Sequence, residues 1–404
     1  MHILIFLLPG ILLVLLKPFN KKGFTELLIS ISGSSLSGFI LIPWLIRPLG
    51  ISLQGFAYLI FIASLLLLIL NFKKLDLKSF ALDKNEGIIL AAFILILLLR
   101  LVPLALQPVP DGIEMSRQSY AARLICENDG LPGSFLFPTG LASITALISL
   151  LSDFQIYRSS LIISCVSYAL LTFGLYVMLL KLYDRKTAAF SAFAATFLSR
   201  SPQWLFSKGD NSSVLALFLF LIFLSLGLEI YKKYSHQTAM FLFFPLFAAI
   251  VTDLTFLISP ASFAVVYAFI FAVIMNRYGQ YLKGLMPIII LMGLVFYGTL
   301  YIRSSFIACP VTQADINALK WVDMNVNKKA VFLANNSDAG IWIPAVTGRS
   351  ITKASQNDKS KPGYIYLGSK PVGNADLKRE DLEKKPWKFR RIYSKDGAQV
   401  WKIL

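Results

Sequence analysis

The chain has 404 residues, 56% of them hydrophobic and 15% charged, with a mean hydropathy of +0.67. A soluble domain carries roughly a quarter charged residues, so this composition excludes an ordinary soluble globular protein. The net charge is +17, yet 18 Lys+Arg against 9 Asp+Glu from Arg303 onward place +9 of it in the tail. A basic tail beside a bilayer points to anionic headgroups or lipid phosphates, or is a merely solvated surface, and does not call for nucleic acid.

In chain order, apolar runs of about 16 to 23 residues recur from the N-terminus to about residue 302, as transmembrane helices would. Met1 to Leu16 precedes Lys17, Lys21 and Lys22, the wrong order for a cleavable signal peptide, and reads as a first span with its N-terminus outside. Spans are expected near 24–46, 50–70 and 87–107, with the Lys73 to Lys84 loop inside and Asp111 outside. The run 137–151 is too short to cross, and leaving it at the interface puts the loops with Lys181, Lys232 and Arg277 inside together. The expectation is a polytopic α-helical membrane protein of about ten spans plus two juxtamembrane helices. Its domains are 1–302 in the membrane (1–86 with three extra spans, 87–302 the core) and a soluble extracytoplasmic α/β domain over 303–404.

The tail predicts a helix near 313–325, a strand at 330–334, a loop through Trp342-Ile343-Pro344 and a strand over 364–367. Residues 389–403 predict a hairpin turning at Lys395-Asp396-Gly397. Asn335-Asn336-Ser337 is a glycosylation triplet of a kind that arises often by chance. Cys126, Cys165 and Cys309 lack metal-ligand spacing, and His2 and His236 stand alone, which argues against a zinc site or a Ser-His-Asp triad. A Cys126–Cys309 bridge is conceivable if both lie outside.

The chemistry-bearing residues sit in two acidic loops that this topology places on one face. Asp111 opens the first, at the start of a surface helix with Ile113, Tyr120 and Leu124 apolar and Glu114, Arg117 and Gln118 polar. A helix cap is the plain reading of Asp111. Asp210 closes the second loop. Carboxylates grouped at a membrane surface suit chemistry on a lipid-linked substrate. Arg100 and Asp253 lie within expected spans near the outer surface, where charge is costly and is usually paired or functional.

The outer loop with its early Asp111, Phe137-Pro138-Thr139-Gly140 leading into a second surface helix, Leu182-Tyr183-Asp184-Arg185-Lys186, Ser201-Pro202 and Asp210 follow one another as landmarks. In that order they resemble the GT-C superfamily of membrane glycosyltransferases, which includes protein mannosyltransferase-like and aminoarabinose transferase-like families. The resemblance covers roughly residues 90–305, closest over Tyr183 to Ser212. It implies transfer of a sugar from a polyprenyl- or dolichyl-phosphate carrier to an acceptor at the outer face. Asp111 would be the base or a metal ligand, Asp210 would complete the site with manganese or magnesium if the reaction needs one, and Glu114 could assist. Arg303, Lys208 and Arg200 would face the leaving phosphate, or simply anchor at the interface. Related proteins often carry a His near the position of Asp253, and no tandem Trp-Trp-Asp motif is present. A transporter or flippase of a lipid-linked glycan, or an inactive GT-C-like scaffold, are the alternatives.

Overall fold

A computed structural model describes residues 24–46, 51–71, 84–110, 112–131, 139–198, 211–232, 236–254, 262–282, 311–335, 339–353, 362–370 and 377–404. The helical part comprises α1 (Phe24–Ile46), α2 (Leu53–Asn71), α3 (Lys84–Leu106), α4 (Ile113–Glu127), α5 (Gly140–Ser152), α6 (Ile156–Leu180), α7 (Arg185–Leu198), α8 (Asn211–Lys232), α9 (His236–Thr252) and α10 (Ser262–Leu282). At its centre α6 packs against α8, with α3, α5 and α7 around them. Small residues let the backbones approach. A Cβ on Gly174 would lie 2.9 Å from Phe218, and one on Gly33 would lie 2.8 Å from Ile222. Phe93 of α3 packs tilted against Phe173 and edge-on against Tyr176 of α6, with ring centroids 4.6 and 5.2 Å apart.

The expected count of about ten spans is corrected here. Among the described residues, two helical segments are long and apolar enough to cross a membrane, Ile156–Leu180 and Asn211–Leu228. Elsewhere the apolar stretches among the described residues are shorter, Leu28–Trp44, Leu53–Leu66, Leu90–Leu99 and Ala264–Arg277, each lying within a longer helix. Run length in sequence overcounts because some runs fold into helices short of about 20 residues, α7 with 14 residues and α9 with 17. The expected first span over 1–16 and the last, ending at 302, lie outside the described residues. Peripheral helices nevertheless expose apolar stripes at helical spacing: Leu59, Ile62 and Leu66 on α2, and Val266, Ile270 and Val273 on α10.

The two short helices also differ from the expected pair lying on a membrane surface. On α5, residues 140–147 are all buried, enclosed by α1, α4, α6 and α9, so this helix is an inner element. On α4 the buried face is Met115, Ser116, Gln118, Ser119, Ala122 and Ile125, while Ile113 is 46% exposed. The helix is thus turned from its expected orientation, because its serines find partners inside. Ser116 Oγ donates to the Ile341 carbonyl at 2.6 Å, and the Ser119 and Ser160 hydroxyls pair at 2.6 Å.

The C-terminal part is an α/β unit: α11 (Gln313–Asn325), β1 (Val331–Ala334), a 3-10 turn (Ala339–Trp342), α12 (Ile343–Thr347), β2 (Ser350–Lys353), β3 (Tyr364–Leu367), α13 (Arg379–Glu383), β4 (Phe389–Lys395) and β5 (Ala398–Ile403). The sheet order is β2-β1-β3-β5-β4, parallel across β2-β1-β3 and antiparallel across β3-β5-β4. Thr312 and Asp315 close a capping box at the start of α11, whose buried Ile316, Leu319 and Val322 follow a helical period. Asp396 and Gly397 both take positive φ (48° and 89°), as a tight hairpin turn requires. The expected loop through Trp342 is instead a 3-10 turn running into α12, with Trp342 fully buried. One continuous apolar core joins Met115 of α4, Tyr168 of α6, Leu319 of α11 and Tyr366 of β3, so the two parts are packed together.

Candidate functional site

A cavity of about 530 Å³ opens at the seam between the helical part and the α/β part. Its walls come from six places: Gln54 at the start of α2, the last turn of α4, the end of α5, the first turn of α6, α11 and α12. Five charged side chains line it, Arg123, Glu127, Asp153, Lys320 and Asp323. Three of them are committed to holding the seam. Arg123 reaches Glu127 Oε1 through Nε at 2.6 Å and donates from Nη1 to the Val346 carbonyl at 2.6 Å. Asp323 pairs with the buried Arg349 at 2.8 Å. The other two, Asp153 and Lys320, make no hydrogen bond or ion pair among the described residues.

Local sequence explains why Asp153 stands in the wall. It terminates α5 in the left-handed region at φ 55°, a conformation that Asp tolerates better than most residues. The chain then reverses through Phe154 and Gln155, and Ser149 Oγ donates to the Phe154 carbonyl at 2.6 Å. Tyr157, the second residue of α6, donates its hydroxyl to Gln155 Oε1. Cys126 lies in the same wall, its thiol pushed up to about 12 by burial first and by the Glu127 carboxylate second. That value makes it a poor nucleophile near neutral pH.

The residues named from sequence fall elsewhere. Asp111, Asp210, Arg200, Lys208 and Arg303 lie outside the described residues. Arg100 belongs to α3. The N-cap position of α4 is held by Gly112 at φ 94°, not by Asp111. Glu114 is occupied within α4, accepting from Gln118 Nε2 at 3.1 Å and facing Arg117 at 3.6 Å. Asp253 is buried just past the end of α9 and accepts from the Ser213 hydroxyl in the first turn of α8, where a carboxylate favours the helix dipole. Nearby, the Thr139 amide donates to the Val251 carbonyl at 3.0 Å, and Trp44 Nε1 donates to Thr139 Oγ1 at 3.1 Å. The chain before α5 therefore meets the end of α9, and the end of α9 meets the start of α8. Asp253 has a structural partner there.

Two further sequence readings change. Asp184, one of the landmarks, caps α7 by accepting from the Thr187 amide at 2.9 Å and hydroxyl at 3.0 Å. Asn335 is 5% exposed, and its amide bonds the Leu377 backbone at both ends, at 3.2 and 3.0 Å, so it is not presented for glycosylation. The cavity's own charged residues escaped sequence reasoning because they come from segments up to 200 positions apart. A weak signal exists in the spacing of Arg123 with Glu127 and of Lys320 with Asp323, each placing two charges on one helix face.

No grouping of three or more His, Cys, Asp or Glu that could hold a metal ion occurs among the described residues, and Asp111 and Asp210, the expected ligands, are not among them. The described donors therefore do not compose a site for manganese or magnesium. No family model, curated protein or solved structure matches the chain.

Proposed function

We propose that the chain transfers a sugar from a polyprenyl- or dolichyl-phosphate carrier to an acceptor at the membrane surface, with its N-terminus and the α/β part on the extracytoplasmic side. The carrying observation is the position of the charged cavity. Its wall includes the first turn of α6, a helix long and apolar enough to cross a membrane. A substrate with a lipid tail and a polar head needs such a place, with apolar helix faces on one side and charged groups on the other.

In this reading the acceptor oxygen attacks the sugar's anomeric carbon while the bond from that carbon to the carrier phosphate breaks. The carbon–oxygen bond to the acceptor forms, the bonding pair leaves with the phosphate, and the acceptor proton passes to a carboxylate. Asp153 is the uncommitted carboxylate of the cavity and Lys320 its uncommitted cation, suited to the departing phosphate charge. Asp111 and Asp210 remain the candidates that the GT-C resemblance supplies. Tyr157 and Gln155 offer hydroxyl and amide groups for orienting a sugar.

The test is sugar release from labelled polyprenyl-phosphate sugars by the full chain in detergent, with and without manganese or magnesium. Wild type is compared with Asp153→Asn, Asp111→Asn and Asp210→Asn. The expected result is release by wild type that falls by about 10² to 10⁴ in Asp153→Asn, the usual contribution of a general base. Loss in Asp111→Asn alone would move the chemistry to the start of α4. No turnover with any donor would overturn the enzyme reading in favour of carrier transport or binding.

A further inference from the structure

The turn Lys385-Pro386-Trp387-Lys388 between α13 and β4 holds an indole out of the protein. Pro386 presets the second position of the turn. The amides of Lys388 and Phe389 both donate to the Lys385 carbonyl, at 2.9 and 3.1 Å. The Leu404 amide donates to the Lys388 carbonyl at 3.0 Å, stapling the turn to the end of β5. Phe389 beside it packs into the small core under α13. Trp387, at the tip of this fixed turn, is 75% exposed. An ordered turn that keeps so large an apolar group in water suggests that something covers it.

Charge identifies the cover. Residues 384–404 carry seven Lys/Arg against the single Asp396. Lys384, Lys385, Lys388 and Arg390, all within three residues of Trp387, are exposed; Lys388 Nζ also lies 5.6 Å over the Phe389 ring, and Arg391 is engaged with Glu383 at 3.4 Å and lies over Trp401. Cations on β4 have a plain role, since β4 is an edge strand and charge discourages strand addition. That role accounts for Arg390 and Lys395 but not for an exposed Trp. Trp flanked by Lys and Arg is what a membrane–water interface selects. We propose that this turn and its four cations are a docking surface for the anionic phospholipid headgroups of the bilayer that holds the helices. The inference rests on the chain residing in a bilayer and is independent of sugar transfer. The helices tether the α/β part beside that surface, so a weak contact suffices.

The experiment places the full chain in nanodiscs of zwitterionic lipid, alone or mixed with phosphatidylglycerol, each with brominated acyl chains as a quencher. Subtracting the emission of Trp387→Phe isolates Trp387. The expected result is quenching of Trp387 in anionic discs only. It should be lost near 1 M salt, where the Debye length falls to about 3 Å, and in the quadruple variant Lys384→Gln/Lys385→Gln/Lys388→Gln/Arg390→Gln. Each cation near the surface accounts for about fivefold in preference for anionic lipid. The variant Lys370→Gln/Lys395→Gln, at the opposite end of the sheet beside the Asp396-Gly397 turn, should keep the quenching. Equal quenching in both disc types, no quenching in either, or equal loss in the two variants would overturn the proposal. Failure of the chain to enter discs at all would instead overturn the bilayer premise.

Discussion

In the α/β part, Asp315 is buried and accepts five hydrogen bonds, from the Thr312 amide and hydroxyl, the Tyr366 hydroxyl, and the Ser369 amide and hydroxyl, at 2.7 to 2.9 Å. Arg349 is 1% exposed and donates to the Asn327, Thr347, Val326 and Asp323 carbonyls besides its ion pair with Asp323. In the helical part, Ser143, Thr145, Ser159 and Ser164 are equally buried, yet among the described residues their hydroxyl oxygens find no partner, and neither does the Asn211 amide. The first part uses polarity to fix one arrangement of α11, β3 and the turn after α12. The second is held mainly by apolar packing and close helix approach, with polar ties such as Ser119–Ser160 and Ser213–Asp253 at single points and several other buried hydroxyls taking no part. A buried polar group is costly to strip of its partner and cheap to delete when it has none.

The seam between the parts gives the largest expected effect. Because the Cys126 thiol is raised from 9.0 to about 12, its thiolate fraction at pH 8 is about a thousandfold below that of an ordinary cysteine. The neutral thiol favours the folded state below pH 9, and that contribution is lost as pH climbs toward about 12. Alkylation of the folded chain in a Cys165→Ala/Cys309→Ala background should be correspondingly slow at pH 8 and accelerate at alkaline pH. An ordinary rate would show an open seam and break the comparison at its root. Next comes Arg349→Met, which leaves Asp323 and several helix-end carbonyls without their cation and should cost about 3–5 kcal/mol. The measurement is denaturant unfolding of the α/β part followed by Trp fluorescence, and a cost below about 1 kcal/mol would contradict the locked-polarity account.

In the helical part, Gly140→Ala places a methyl 2.1 Å from Thr252 Oγ1 and 2.7 Å from its Cα. The resulting separation of α5 from α9 should cost about 1–3 kcal/mol, read as a fall in thermal midpoint in detergent. Replacing Ser159 or Ser164 with Ala should change stability by no more than about 0.5 kcal/mol in either direction. A loss as large as that of Arg349→Met would mean that the serines are partnered and that the two parts do not differ.

Much of the α/β part was legible because its signals are local. Asp396-Gly397 dictates its turn, and the helical period of α11 together with Thr312 and Asp315 marks its start. β2 escaped notice: Ser350 to Lys353 is four residues long and alternates weakly, and it becomes a strand by pairing with β1. The burial of Arg349 depends on carbonyls supplied from three neighbouring stretches, which no local pattern announces. In the helical part the presence of helices was legible, but not the span count or the rotation of α4. Both depend on which neighbour covers each face, and hydrophobic run length carries no such information. The charged residues of the cavity were not legible, since each is ordinary in its own segment.

The hydroxyl of Ser116 meets the carbonyl of Ile341 across 225 residues of sequence. At about 5–20 residues per second, a ribosome needs on the order of 11 to 45 seconds between making the one and the other. Throughout that interval α4 exists without part of the surface it is shaped to meet, its Ser116 still lacking the Ile341 carbonyl. Biogenesis of this protein therefore contains a timed vulnerability. The last third of the chain has to arrive and dock before the first third is finished, and truncation there should condemn the helices made long before it.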